Sequence, residues 1–65
     1  MNGEDEPISL ELSHRELLGL YIILTKLESE LDESQEAILQ NVSRHVYERL
    51  SIEDLEDVER YYAAL

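Results

Sequence analysis

Residues 13–31, SHRELLGLYIILTKLESEL, form the longest apolar periodic segment of the chain and decide its fold. Ser13 stands three residues before Glu16, which is the spacing of a capping box, where each side chain accepts a hydrogen bond from the other residue's backbone N–H. Leu12 and Leu17 flank this cap at the two positions of a hydrophobic staple. Together these cues predict that a first helix begins after Ser13.

The apolar residues of this helix divide into two faces. At about 100° per residue, a broad stripe is predicted to face the core. Its members are Leu17, Leu20, Tyr21, Ile23, Leu24, Leu27 and Leu31. Leu18 and Ile22 fall outside this stripe, on a second and narrower apolar strip. We expect either the N-terminal segment or another subunit to cover Leu18 and Ile22, which makes both of them candidate protein-binding residues.

The N-terminal segment is predicted to lie outside the helices. Residues 1–7, MNGEDEP, are polar and acidic, and we expect them to form a disordered tail. Apolar and polar residues then alternate over residues 8–13, which is the period of an extended segment. This extended arm is expected either to pack across the helices or to pair with its copy in a second chain.

Two further helices are predicted after the first, which should span about residues 14–31. The second should span about residues 35–50, with Asp32 or Ser34 as its cap, and the third should span about residues 52–65. The connections between them are short, which favours antiparallel neighbours. The sequence therefore predicts an all-α fold, a small three-helix bundle with an extended N-terminal arm, forming a single domain over residues 8–65.

Composition narrows the classes of function. The chain has 65 residues, no cysteine, 5 Lys and Arg, 16 Asp and Glu, and a net charge of −11. Phosphate backbones and anionic membranes repel such a chain, so we expect neither direct nucleic-acid binding nor membrane binding. No apolar run reaches the roughly 20 residues that span a bilayer, and the first residues do not resemble a signal peptide. We therefore expect a cytoplasmic protein.

Residue patterns for catalysis or metal binding are weak. His45 and Glu48 lie one helical turn apart, but di-iron helical proteins use the reverse order twice, with further glutamates. The acids around residues 28–36 include no glycine for a calcium-binding loop. The chain has no cysteine and two histidines, so it offers few candidate nucleophiles and general bases for nucleophilic catalysis. The sequence predicts no enzyme, catalytic residue, metal site or cofactor.

Two tyrosines are candidate binding residues. Tyr47 and Tyr61 fall at or beyond the edges of the predicted core stripes, and tyrosine is enriched at binding hot spots. With Leu18 and Ile22, they are the apolar groups that a single-chain core explains least well. All four residues are therefore predicted protein-binding candidates.

The functional prediction is a small acidic helical module for protein–protein interaction or regulation, with homodimer formation as one form of that role. The alternative is a nucleic-acid mimic that presents carboxylates to a basic DNA- or RNA-binding protein and inhibits it. The net charge of −11 is the feature that supports mimicry. Binding by a mimic should weaken steeply with salt, whereas an apolar interface should not. The partner protein itself cannot be named from the sequence.

Overall fold

The first helix begins where the capping box predicts. In the computed structural model, which describes residues 7–65, α1 spans His14–Lys26. The Glu16 backbone N–H donates to Ser13 Oγ at 3.1 Å, and the Ser13 backbone N–H donates to Glu16 Oε1 at 2.8 Å. The bond from the Ser13 backbone, followed by the contact with its hydroxyl, holds the pKa of the Glu16 carboxyl below its ordinary value. The predicted cap is confirmed.

The end of α1 was predicted too late. The helix stops at Lys26 rather than residue 31, and a single 3₁₀ turn follows over Glu28–Glu30. Glu28 and Glu30 would place negative charge at the carboxyl end of a continued helix, where the macrodipole is already negative. The acidic composition of this segment therefore disfavours an α-helical conformation of the five residues from 27 to 31.

The second helix, α2, spans Glu33–Arg49 and begins two residues earlier than predicted. Of the two candidate caps, Asp32 is the one used. Its carboxylate accepts from the Gln35 backbone N–H at 2.8 Å, and the Gln35 side chain accepts from the Asp32 N–H at 2.9 Å. Because this second capping box satisfies donors at the helix start, it fixes the point at which the chain turns back.

The third helix was predicted as one continuous helix over residues 52–65. That prediction was wrong, because the helix is interrupted. It forms α3, Ile52–Glu56, and α4, Val58–Ala63. Between them, Asp57 leaves helical geometry, with φ −140° and ψ 66°, and its carboxylate accepts from the Arg60 backbone N–H at 3.3 Å. Aspartate offers the backbone such local bonds in place of helical ones, and here it starts a new helix.

Residues 7–12 carry neither helix nor strand. Ile8 and Leu10 are mostly exposed. Leu10 and Leu12 line a cleft of about 160 Å³ with His45 and Arg49 of α2. The arm therefore runs beside α2. One alternative expected it to cover Leu18 and Ile22, and it does not do so. The tail predicted over residues 1–7 lies, apart from Pro7, outside the described residues.

α1 is the central helix of the bundle. It packs against α2 on one side and α4 on another. Both neighbours run antiparallel to it: Tyr21 of α1 meets Tyr47 near the end of α2, and Lys26 at the end of α1 pairs with Glu59 at the start of α4, with Nζ 3.0 Å from Oε1. The described residues form four α-helices and one 3₁₀ turn and contain no strand, which confirms the all-α bundle.

Gly19 lies at the contact between α1 and α4. A Cβ at this position would lie 3.1 Å from the Tyr62 hydroxyl, so the missing side chain lets the tyrosine ring lie against α1. The Arg15 guanidinium carbon sits 4.5 Å from the centroid of the same ring, and Arg15 Nη1 donates to the Tyr62 carbonyl at 3.3 Å. This cation also lies at the carboxyl end of α4, where the macrodipole favours it.

The core corrects the predicted face of α1. Leu18 is 0% exposed and Ile22 is buried, so placing them outside the core was wrong. The buried face is rotated by roughly 100°, one residue position, from the predicted stripe. The reason is that α1 packs against two helices, α2 and α4, and the face between those two contacts is the buried one. The buried residues are Leu17, Leu18, Ile22, Leu39, Val42, Val46 and Leu50.

Within the part of the chain that the structure describes, every helix is too short or too polar to cross a membrane.

Candidate protein-docking surface

The rotation of α1 leaves apolar residues on its outer side. Ile23 is 57% exposed and Leu27 is 45% exposed, although both were predicted to be core residues. Leu20 and Leu24 are half-buried beside them. Positions 20, 23, 24 and 27 follow the i, i+3, i+4, i+7 spacing, so the four side chains share one face of the helix. We call these four residues the leucine strip.

The leucine strip occupies the part of α1 that its neighbours leave uncovered. Tyr21 marks the side of α1 that meets α2, and Arg15 marks the side that meets α4. At about 100° per residue, the strip lies on roughly the remaining third of the helix circumference. Leu20 and Leu24, at its edge, still pack against the core, whereas Ile23 and Leu27 are largely exposed.

Charges next to the leucine strip are mainly acidic. Glu16 lies one turn before Leu20, while Glu28 and Glu30 follow the strip in the 3₁₀ turn. The cation next to the strip is Lys26, whose ammonium group is paired with Glu59 at 3.0 Å. Acidic residues therefore precede and follow the strip along the chain, and Glu28 among them also lines the groove beside Tyr21.

A second surface feature is an open groove between α1 and α2. It has a volume of about 500 Å³ and contains Tyr47, which is 58% exposed. The rings of Tyr21 and Tyr47 meet edge to face, with centroids 6.4 Å apart. Burial, followed by the neighbouring Tyr47 hydroxyl, raises the pKa of Tyr21. The groove is lined by Tyr21, Thr25, Glu28, Leu39, Gln40, Ser43, Arg44 and Tyr47. The predicted binding role of Tyr47 stays a prediction, and the residue is accessible for it.

Tyr61 has a structural partner. Its hydroxyl lies 2.8 Å from His14 Nε2, and the two rings meet edge to face at 5.8 Å. This contact ties α4 to the first turn of α1, and it leaves the Tyr61 side chain half-buried. The binding role predicted for Tyr61 also stays a prediction, but the residue's position already has a reason in the fold.

His45 and Glu48 form an exposed pair, with Nδ1 3.7 Å from Oε1. A metal ion needs more ligands than this pair supplies. Across residues 7–65, no three histidine or carboxylate side chains come together in a way that could hold a metal ion.

The structure separates the four predicted site residues instead of joining them. Leu18 and Ile22 are in the core, Tyr47 is in the groove, and Tyr61 is at the contact between α1 and α4. Sequence reasoning missed Ile23 and Leu27. Gly19 was the available signal, because a glycine kept inside a helix often has a packing reason. In the structure Tyr62 of α4 lies beside Gly19, and Ile23 is exposed.

Comparisons with protein-family models, with curated proteins and with solved structures find no match to this chain.

Proposed function

We propose that this chain is a small acidic helical module that acts by binding another protein through the leucine strip. The observation that carries the proposal is the exposure of Ile23 and Leu27, next to Leu20 and Leu24, on the central helix of the bundle. The absence of cysteine is compatible with a reducing compartment, and we propose the cytoplasm as its location.

The arrangement of these residues matters more than their number. A chain of 65 residues has little interior, and single exposed apolar side chains are ordinary on its surface. The leucine strip differs because its four side chains form one continuous face over two turns. Fully burying one such side chain is worth about 1.5–3 kcal/mol, so a partner that covered the exposed halves of Ile23 and Leu27 would gain about that amount from the two together.

Affinity capture with matched variants tests the proposal. The double variant Ile23→Ser, Leu27→Ser removes apolar surface from the strip and leaves the buried core in place. We expect the wild-type chain, immobilised and exposed to extract from its own cells, to retain a specific partner that mass spectrometry identifies. The strip variant should lose that same partner.

The matched control is Ile52→Ser with Leu65→Ser, at residues that are also at least half exposed but lie outside α1. The control variant should retain the partner. Equal retention by the strip variant and the wild-type chain would show that the leucine strip is not the docking surface. Circular dichroism of all three proteins establishes that each is folded.

A second candidate function is inhibition by mimicry of a nucleic acid, supported by the net charge of −11. The same capture experiment separates the two candidates. A mimic would hold a DNA- or RNA-binding protein through carboxylates, so the strip variant would bind as well as the wild-type chain, and raising the salt concentration would release the partner. Under the leading proposal, loss of binding follows the apolar substitutions.

A further inference from the structure

We propose that the segment which docks on the leucine strip is a basic amphipathic α-helix of another protein. This inference rests on the proposed function and adds the shape and the charge of the partner. It follows from the shape of the uncovered surface, from the charges around it and from the charge of the chain itself.

The surface favours a helical partner. Peptides commonly bind by adding a strand to a sheet edge or by laying an apolar helical face against a hydrophobic surface. The described chain contains no strand, so it offers no sheet edge within residues 7–65. Its leucine strip repeats at helical spacing, and packing of side-chain ridges into grooves suits a second helix laid alongside.

The bundle also has a position for that helix. α2 and α4 each take part of the surface of α1, and the leucine strip lies on the part that remains. A helix seated there would make α1 the shared element of a four-helix arrangement. The interface would then bury the exposed parts of Ile23 and Leu27.

The border of the strip favours positive charge on the partner. Glu16 lies before the strip, Glu28 and Glu30 lie after it, and Lys26 is already paired with Glu59. Lysine and arginine on the flanks of an incoming helix would meet these carboxylates as its apolar face meets the strip. Such complementarity mainly raises the association rate and rejects acidic partners.

Charge also disfavours a second copy of this chain as the occupant. Each copy carries a net charge of −11, and a symmetric dimer through the strip would bring two identical acidic borders towards each other. Like charges placed together at an interface are costly. A basic helix from a different protein avoids that repulsion.

Binding of synthetic helices tests the inference directly. The probe is a peptide of about 18 residues, or five turns, made of leucine and lysine with leucine at i, i+3, i+4 and i+7 and one tryptophan. The chain itself contains four tyrosines but no tryptophan, so fluorescence excited beyond the tyrosine absorption band reports the peptide alone. One control peptide has the same composition in scrambled order, and a second has glutamate in place of lysine.

We expect the leucine–lysine helix to bind about tenfold more tightly than either control peptide at physiological salt. Ile23→Ser with Leu27→Ser should weaken this binding by about tenfold. Ile52→Ser with Leu65→Ser should change it by no more than about twofold.

Three outcomes would overturn the inference. The scrambled peptide could bind as tightly, in which case attraction between charges suffices and a helical face is not recognised. The strip variant could bind the helix as tightly as the wild-type chain, which places the helix elsewhere. The chain could form a dimer in analytical ultracentrifugation that the strip variant abolishes, which makes a second copy the occupant. In that last case the inference about a basic helix fails, but the strip is still a docking surface. Affinity capture of the cellular partner tests the docking role independently of the peptide experiment.

Discussion

Leu18 and Ile23 show at the scale of single residues how the fold distributes apolar side chains. They lie five positions apart on one helix, yet Leu18 is fully buried while most of Ile23 is exposed. We predict that Leu18→Ala destabilises the protein by about 2–5 kcal/mol, because it removes packed atoms and leaves a cavity. Ile23→Ala should cost less than about 1 kcal/mol, because the side chain gains little from burial. Chemical denaturation of both variants measures the two values.

Equal losses of stability in these two variants would contradict the observed orientation of α1. A larger loss for Ile23→Ala would restore the face expected from the sequence, with Ile23 inward and Leu18 outward.

Gly19 and Tyr62 are predicted to be energetically coupled. Replacing glycine by alanine inside a helix normally gains about 1 kcal/mol. Here the new Cβ would lie 3.1 Å from the Tyr62 hydroxyl, so Gly19→Ala should gain less than that. In a Tyr62→Phe background, which removes the hydroxyl, the same substitution should gain more. A double-mutant cycle in thermal or chemical unfolding measures the difference. Strictly additive effects would show that the two residues do not constrain each other.

At the scale of elements, helix starts could be predicted better than helix ends or faces. Ser13, Asp32 and Ser51 all cap helices through bonds to the residue three positions later. These are short-range interactions that the sequence displays directly. The end of α1 and the break at Asp57 depend on whether local interactions of acidic residues are more favourable than another turn of helix. The spacing of apolar residues alone does not decide between the two.

The cap of α1 should show in the pH dependence of stability. Glu16→Gln keeps a side chain that accepts from the Ser13 N–H but removes the charge. Because the folded state lowers the pKa of Glu16 from its ordinary 4.5, its carboxylate stabilises the fold above that pH. The stabilisation is lost as the pH falls through the lower, folded-state pKa. We therefore predict that the wild-type chain exceeds Glu16→Gln in unfolding free energy at pH 7, and that the difference shrinks in acid.

Urea unfolding of the two proteins at a series of pH values, between pH 7 and about pH 2, measures this difference. If the difference stayed constant across the series, the charge of Glu16 would have no part in holding the start of α1.

At the scale of the whole molecule, the all-α class and the three packed segments followed from helical spacing and caps. The docking surface did not. Which third of α1 remains uncovered depends on where α4 lies, and α4 packs on α1 through residues far apart in the sequence, such as Tyr62 against Gly19 and Arg15. Periodicity identifies an apolar face but does not show how two neighbouring helices divide it.

Hydroxyl-radical footprinting of α1, with the chain alone and with the leucine–lysine helix bound, tests the docking surface most directly. We predict that Leu18 and Ile22 stay unreactive in both samples. Ile23 and Leu27 should be oxidised in the free chain and protected in the complex, because the peptide covers the leucine strip. Oxidation of Leu18 and Ile22 in the free chain, or unchanged oxidation of Ile23 and Leu27 with the peptide bound, would contradict the assignment of the strip as the docking surface.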